Sequence, residues 1–257
     1  MNRFGGIQRL YGKQAFSVIT AAHICVIGIG GVGSWAAEAL ARSAVGQITL
    51  IDMDDISHSN INRQLHALDS TQGQSKVTAM QIRIADINPD CHCHAIDEFI
   101  SLDNLNELLS RGYDYVIDAC DSVKIKAAII NWCQHHKLPL ITIGGAGGQK
   151  DPSQIAIKDL IDVTQDPLIS KLRSQLRRYY GFRDKRLFEV ECVYSNEQLV
   201  YPQPDGTVSH AKSVKIAGTR MDCDHGFGAA TFVTGSFAFT AVAQLLDKLV
   251  KRANQES

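Results

Sequence analysis

Gly28, Gly30 and Gly33 fit the spacing G-x-G-x-x-G, with Gly31 as a fourth glycine, inside the stretch VIGIGGVGSWAAEAL that runs from Val26 to Leu40. Glycine has no Cβ, so the chain there turns tightly and brings backbone amides close to an anion. Asp52 follows Gly33 by 19 residues. A carboxylate at that distance, ending the next strand, accepts hydrogen bonds from ribose hydroxyls. So far any nucleotide is served. The next residues narrow the choice: Asp54, Asn60, Arg63, Gln64 and Lys76 follow in order, then Asp118, Asp121 and Ser122 in DACDS. Hydride transfer from NAD has no use for an arginine, a lysine and a second carboxylate aimed at phosphates, whereas a triphosphate does. Arg63 and Lys76 suit its negative charge. Asp121 suits Mg²⁺, which takes oxygen ligands from one or two carboxylates plus phosphates. Alone, each residue is ordinary, since a single Arg or Lys is commonly a solvated charge and a strand-end Asp a helix cap. Their joint order points to ATP, with Arg63, Lys76 and Asp121 as the expected catalytic groups.

Such groups need a scaffold. Ile24–Ile27, Ile48–Ile51, Tyr115–Ile117 and Leu140–Ile143 are short apolar runs, each ending at Gly or Asp. Helical patterns over Val32–Arg42, Ser75–Ile87, Leu102–Leu109 and Val123–His136 fall between them, and Asn88-Pro89 is expected to stop the second of these. Strands without polar alternation, separated by helices, predict a parallel sheet covered on both faces. Residues 154–158 and 188–202 read as strands of an antiparallel kind. The expected class is α/β: a Rossmann-like, doubly wound, mainly parallel sheet with a C-terminal antiparallel extension and a long apolar C-terminal helix. Residues 1–150 are expected to form the ATP-binding region and residues 151–257 a substrate and dimer region of the same domain.

The 257 residues carry a formal net charge of −1, with 45% hydrophobic and 21% charged residues. That balance suits a globular chain and leaves any nucleic-acid contact to a local basic patch. Residues 1–21 show no apolar run with a small-residue cleavage site, and seven cysteines fit no even disulfide framework, so a cytoplasmic protein is expected. Gly226–Leu246 carries no charge over 21 residues, long enough to cross a bilayer. Its threonines, glycines, Ser236 and Gln244 favour a buried or dimer-interface helix instead.

GIGGVG at 28–33, DMDD at 52–55, SNINRQ at 59–64, Lys76 and DACDS at 118–122 resemble the E1-like adenylating enzymes, the superfamily of ubiquitin activators and bacterial activators of sulfur carriers. The resemblance implies that Gly31, Asp52, Asn60, Arg63, Lys76 and Asp121 hold ATP and Mg²⁺. RFGGIQRLYG at 3–12, GGAGGQKDP at 144–152, QDPL at 165–168, VYPQPDG at 200–206 and RMDCDHGFGAAT at 220–231 are similar to one branch, the tRNA threonylcarbamoyladenosine dehydratases. That branch implies a tRNA substrate, a homodimer, an arginine supplied by the second protomer (Arg3 or Arg9 here), and a link to a cysteine desulfurase. A monovalent cation is a further candidate ligand.

No C-x-x-C pair occurs, so no structural zinc is expected. Cys91-His92-Cys93-His94 reads as a strand that would put cysteines and histidines on opposite faces. Cys192 and Cys223 lie in branch-matching segments; structural roles are favoured over sulfur relay. Lys171–Arg186, KLRSQLRRYYGFRDKR, holds seven cations in 16 residues with interleaved aromatics. Arg173, Arg177, Arg178, Arg183, Lys185 and Arg186 are therefore candidate tRNA contacts. Three competing readings stand beside the dehydratase: an adenylyltransferase for a small sulfur carrier, an NAD-dependent oxidoreductase, and a catalytically idle scaffold for sulfur transfer.

Overall fold

The structure, a computed structural model, describes residues 3–183, 187–211 and 227–256. Two short helices, α1 (Gly5–Tyr11) and α2 (Lys13–Ala21), lead into β1 (His23–Ile27). The glycine turn follows, then α3 (Gly33–Arg42), β2 (Gln47–Ile51), α4 (Lys76–Ile87) and β3 (His92–Ile96). A second run brings α5 (Leu105–Leu109), β4 (Tyr115–Asp118), α6 (Val123–His135) and β5 (Leu140–Ile143). The strands expected from their apolar runs all form, within one residue at either end. They show no polar alternation because both faces are covered: α3, α4 and α8 (Thr231–Glu256) pack on one side, α5, α6 and α7 (Pro167–Tyr180) on the other.

The sheet has seven strands in the order β3-β2-β1-β4-β5-β7-β6, where β6 is Ile155–Asp159 and β7 is Glu191–Ser195. Its first five strands are parallel, and β7 joins β5 in parallel, with Thr142 opposite Cys192. Only β6 runs the other way, paired to β7 with Ile157 opposite Val193. The expected antiparallel extension is therefore continuous with the main sheet. The run expected as one strand over 188–202 divides: β8 (Tyr201–Pro202) leaves the sheet to pair with β9 (Val208–Ser209) in a separate ribbon.

The C-terminal helix needs correction. It starts at Thr231, and it is amphipathic rather than apolar all round. Val233, Phe237, Ala241, Leu245 and Leu249 are buried, while Phe232 and Phe239 stand exposed. No helix among the described residues is long and apolar enough to cross a membrane. Its buried face explains the uncharged sequence, because it packs along α3 and over the sheet.

Candidate active site

A cavity of about 610 Å³ opens where β1, β2 and β5 end, at Ile27, Ile51 and Ile143, with Ala119 just past β4 closing it. It sits at the point where the strand order reverses between β1 and β4, the place where open parallel sheets bind ligands. The four glycines divide their work. Gly28 has φ +85°, and a Cβ there would lie 2.8 Å from the Ala119 oxygen; a Cβ on Gly33 would lie 1.8 Å from the Gly28 oxygen. These two let strand, turn and helix approach one another. Gly30 and Gly31 line the cavity, and around Gly30 the space is open, with Gln64 Nε2 nearest at 3.9 Å.

Asp52 follows the last residue of β2 and faces the glycine turn at the cavity. Its carboxylate accepts from the Ile29 N–H at 2.6 Å and from the Asp54 N–H at 2.8 Å. Burial raises its pKa, opposed by Lys76 and these two amides. Lys76 opens α4; its buried ammonium donates to Asp54 at 2.7 Å. Asn60 is buried and accepts from the Ser57 N–H at 3.1 Å, which closes the turn carrying Arg63. Arg63 is buried on the wall, with Nη1 donating to the Ser59 carbonyl at 2.7 Å and to Asn62 Oδ1 at 3.1 Å. Its own carbonyl accepts from Trp35 Nε1 and from Thr234 on α8. Gln64 is buried on the same wall, and its Oε1 has no hydrogen-bond partner among the described residues. Asp121 stands exposed on the opposite wall. The cavity thus gathers Gly28, Gly30, Gly31, Asp52, Asp54, Asn60, Arg63, Gln64, Lys76 and Asp121. Gly33 and Ser122 are not on its wall: Gly33 serves packing, and Ser122 precedes α6 as its N-cap.

Sequence reasoning missed three supports. Asp118 and Lys126 form an ion pair at 2.8 Å with both side chains fully buried, and Thr142 donates to the same carboxylate at 2.7 Å. Burial works against the Lys126 charge, but Asp118 overrides it and raises the pKa. This pair ties α6 and β5 to the end of β4, directly behind Ala119–Asp121. Asp166 caps α7 by accepting from Leu168 and Ile169 N–H groups, and reaches the Gly145 amide at 2.8 Å. It thereby fixes the glycine loop at 144–148 against the cavity. His66 lies beneath the turn, with Nε2 2.7 Å from the Ile29 carbonyl. Asp118 and Asp166 stood in the DACDS and QDPL motifs without these roles, and a helix Lys and an isolated His carry no local signal.

Cys120 reaches the cavity wall, but its thiol donates to Asp118 at 3.0 Å, and burial pushes its pKa well above the ordinary value. Cys192 is fully buried in β7 and its pKa is likewise pushed up by burial. Cys192 lacks the exposure of a nucleophile, and Cys120, half-buried on the wall, lacks its thiolate character. Cys223 lies outside the described residues. Cys91 and Cys93 pack against the core while His92 and His94 face outward, so the four do not converge. Among the described residues no group of three or more His, Cys, Asp and Glu is placed to hold a metal ion.

The basic stretch forms most of α7 and does not act as one surface. Arg173 is turned inward, donating to the carbonyls of Leu160, Ile161 and Val163, so its expectation as a tRNA contact is corrected to a structural tie. The Arg177 guanidinium stacks over Phe188 and that of Arg178 over Tyr179. Arg183 is exposed; Lys185 and Arg186 lie outside the described residues. Arg183 borders a second cavity of about 1000 Å³ that opens by Tyr115 and Leu140, where β4 and β5 begin, at the opposite edge of the sheet. Lys137, Lys248, Lys251 and Arg252 add cations to it, and Tyr180 and Phe182 add rings. Arg3 donates to the carbonyls of Asp86 and Ile87 at the end of α4, and Arg9 is exposed in the last turn of α1. Neither lines the first cavity.

The ThiF family pattern matches residues 6–256. The chain belongs to the ThiF family. Among relatives, this ThiF-family chain is 52% identical over 256 residues to the tRNA threonylcarbamoyladenosine dehydratase of Escherichia coli strain K12, covering 99% of this chain and 96% of the relative. It is 52% identical to the Haemophilus influenzae enzyme of the same name, covering 97% and 94%. The solved structure of TcdA (CsdL) matches with TM-score 0.91 at 50% identity, covering 98% of this chain and 96% of that one. The E. coli dehydratase TcdA in complex with ATP matches with TM-score 0.86 at 47% identity, covering 99% and 96%. A molybdopterin-synthase adenylyltransferase of H. influenzae is 33% identical over only 48% of this chain.

Proposed function

We propose that this chain is an ATP-dependent tRNA threonylcarbamoyladenosine dehydratase acting on the modified adenosine next to the anticodon. The observation that carries the reading is the convergence of Arg63, Lys76 and Asp121 on the glycine-turn cavity, in a chain near-half identical along its length to dehydratases of that name. The alternative, activation of a small sulfur carrier, rests on adenylyltransferase relatives that match only about half of this chain.

The residues fit the ATP they are assigned. The space over Gly30 is open, Gly31 packs against Thr234 and the Arg63 side chain, and two buried cations stand on the cavity wall. Asp52 is placed for the ribose, and Gln64 Oε1, without a partner among the described residues, is an acceptor for the nucleotide. Mg²⁺ fits this wall, where Asp121 is an exposed carboxylate beside Asp54, Asp55 and Glu98, because it takes one or two carboxylates and completes its shell from phosphates and water. When bound it supplies charge neutralisation on the phosphates.

The threonyl carboxylate has no leaving group. Its oxygen attacks the α-phosphorus of ATP and pyrophosphate departs; Arg63 and Lys76 are fixed to hold the charge that develops. A nitrogen of the same nucleoside then attacks the activated carbonyl, AMP leaves with the carboxyl oxygen, and the nitrogen's proton passes to solvent. The net change in the nucleoside is loss of one water. The second step is intramolecular, so orientation alone lowers its barrier by up to ~7–11 kcal/mol, and no protein nucleophile is required. The raised pKa values of Cys120 and Cys192 agree with that and give no support to sulfur relay through them.

We assign residues 1–150 to nucleotide binding and 151–257 to substrate and dimer contacts. The groove around Lys137, Arg183 and Arg252 suits RNA phosphates, with Tyr180 and Phe182 beside them. The exposed Phe232 and Phe239 on α8 support a homodimer. The deciding experiment is mass spectrometry of nucleosides from tRNA bearing threonylcarbamoyladenosine, incubated with the protein, ATP and Mg²⁺. Loss of one water that requires ATP and disappears in Arg63→Ala is the expected result. An unchanged nucleoside with ATP still bound would move the substrate to a carrier protein.

A further inference from the structure

Ile29, inside the glycine turn, is gripped from both sides. Its N–H donates to Asp52 Oδ2 at 2.6 Å, and its carbonyl lies 2.7 Å from His66 Nε2. A carbonyl only accepts, so Nε2 carries the ring proton and the tautomer is set. The peptide joining Ile29 to Gly30 is planar and trans, so the Gly30 N–H points opposite to the Ile29 carbonyl. That carbonyl faces the buried His66, so the Gly30 N–H faces away from it, on the side where Gly30 lines the cavity. The next peptide is held the same way: the Gly30 carbonyl accepts from Ser34 Oγ at 2.7 Å and from the Ser34 N–H at 3.1 Å. The Gly31 N–H is thereby turned outward too. Neither of these two amides takes a protein acceptor among the described residues.

We propose that His66 is a positioning residue for the reaction, aiming the amides of the glycine turn at the phosphates through the Ile29 carbonyl. This rests on the ATP reading above and assigns a part of the site that the motif residues do not supply. The other ring nitrogen supports it. His66 Nδ1 is buried with no partner among the described residues, an arrangement that costs free energy and that an apolar side chain of similar size would avoid. The imidazole therefore fills this place for its Nε2–H and not for packing. The ring is neutral when it does so, because burial and the Lys76 charge oppose protonation more than the Ile29 carbonyl favours it.

The test compares wild type, His66→Leu and His66→Gln, measuring ATP and adenosine binding by calorimetry on the full chain. His66→Leu removes the donor, and His66→Gln restores an N–H. In His66→Leu the ATP dissociation constant is expected to rise about tenfold while that of adenosine stays within about twofold, because only the phosphates meet the turn. His66→Gln is expected to recover most of the loss. Equal weakening of both ligands, or unchanged ATP affinity in His66→Leu, would overturn the proposal while leaving the ATP reading intact. Wild-type protein that binds adenosine and ATP equally poorly would sink the ATP reading and this one with it. Imidazole ¹⁵N spectra of the wild type check the tautomer with no variant at all: Nε2–H is expected, and an Nδ1–H ring overturns the proposal even if His66→Leu does not fold.

Discussion

Lys76 holds its ammonium 2.7 Å from the Asp54 carboxylate, with the lysine side chain 6% exposed and the aspartate 69% exposed. The cation is sunk in the cavity wall, yet its partner faces solvent. An ammonium held this way can trade a water-screened carboxylate for a phosphate oxygen without further desolvation of its own. The electrostatic work is done in the fold, before the ligand arrives. Lys76→Met is expected to lower kcat by on the order of 10²–10³, the range for removing one fixed donor from developing charge. Asp54→Asn is expected to cost under about tenfold, because exposed carboxylates contribute little to an ion pair. Steady-state kinetics with tRNA at saturation distinguishes the two. An Asp54→Asn defect as deep as that of Lys76→Met would mean that the pair, and not the ammonium, is the working unit.

The acid limb of stability carries a signature of His66. Burial pushes its pKa from 6.5 to about 4, against the pull of the Ile29 carbonyl and with help from Lys76. Between those values the unfolded chain binds more protons than the folded one, so stability rises with pH across this window. The contribution is fully present above pH 6.5 and lost as pH falls towards 4, amounting to about 3 kcal/mol at ~1.4 kcal/mol per pH unit. Urea midpoints of wild type and His66→Gln are expected to converge as pH falls from 6.5 to 4. Parallel curves over that range would show that His66 is not the titrating group.

Behind the cavity, Asp118 and Lys126 are buried as a pair, so removing one charge strands the other. Lys126→Met and Asp118→Leu are each expected to cost about 3–5 kcal/mol, whereas the double variant is expected to be far less destabilised than their sum. The thermodynamic cycle from denaturant unfolding gives the coupling directly. Additive losses would mean that the two charges do not depend on each other, in conflict with the 2.8 Å contact.

What could be read from the chain follows from how local each signal is. The first strands and helices were legible because β1, β2, β4 and β5 are built on apolar runs without polar alternation, and their helices lie between them in order. The residues from Gly28 to Lys76 were legible because a contiguous motif folds into one wall. Asp118–Lys126 was not, since a lysine in a helix reads as solvated until the carboxylate beside it is seen. The placement of β7 between β5 and β6 was also hidden, because pairing partners 50 residues apart leave no trace in periodicity. Arg173 shows the reverse failure. Its run looked uniformly basic, but Ile169, Leu172 and Leu176 turn one face of α7 inward and Arg173 follows them to backbone carbonyls.

The glycine turn offers a separation of fold from function that few sites allow. A methyl group at Gly33 would sit 1.8 Å from the Gly28 oxygen, backbone against backbone, with nothing flexible to yield. Gly33→Ala is expected to cost about 3 kcal/mol or more and to lower the melting temperature by roughly 6 °C or more. At Gly30 the nearest atom is 3.9 Å away and belongs to the end of a glutamine side chain. Gly30→Ala is therefore expected to melt within about 3 °C of wild type, since it displaces nothing in the fold. Its methyl group stands instead in the cavity, beside the amides that face the phosphates, and ATP affinity is expected to fall by about tenfold or more. Melting curves with and without ATP read both effects in one experiment: Gly33→Ala lowers the unliganded transition, and Gly30→Ala lowers only the ATP-dependent rise. A Gly30→Ala protein with the full wild-type rise would place the phosphates away from this turn.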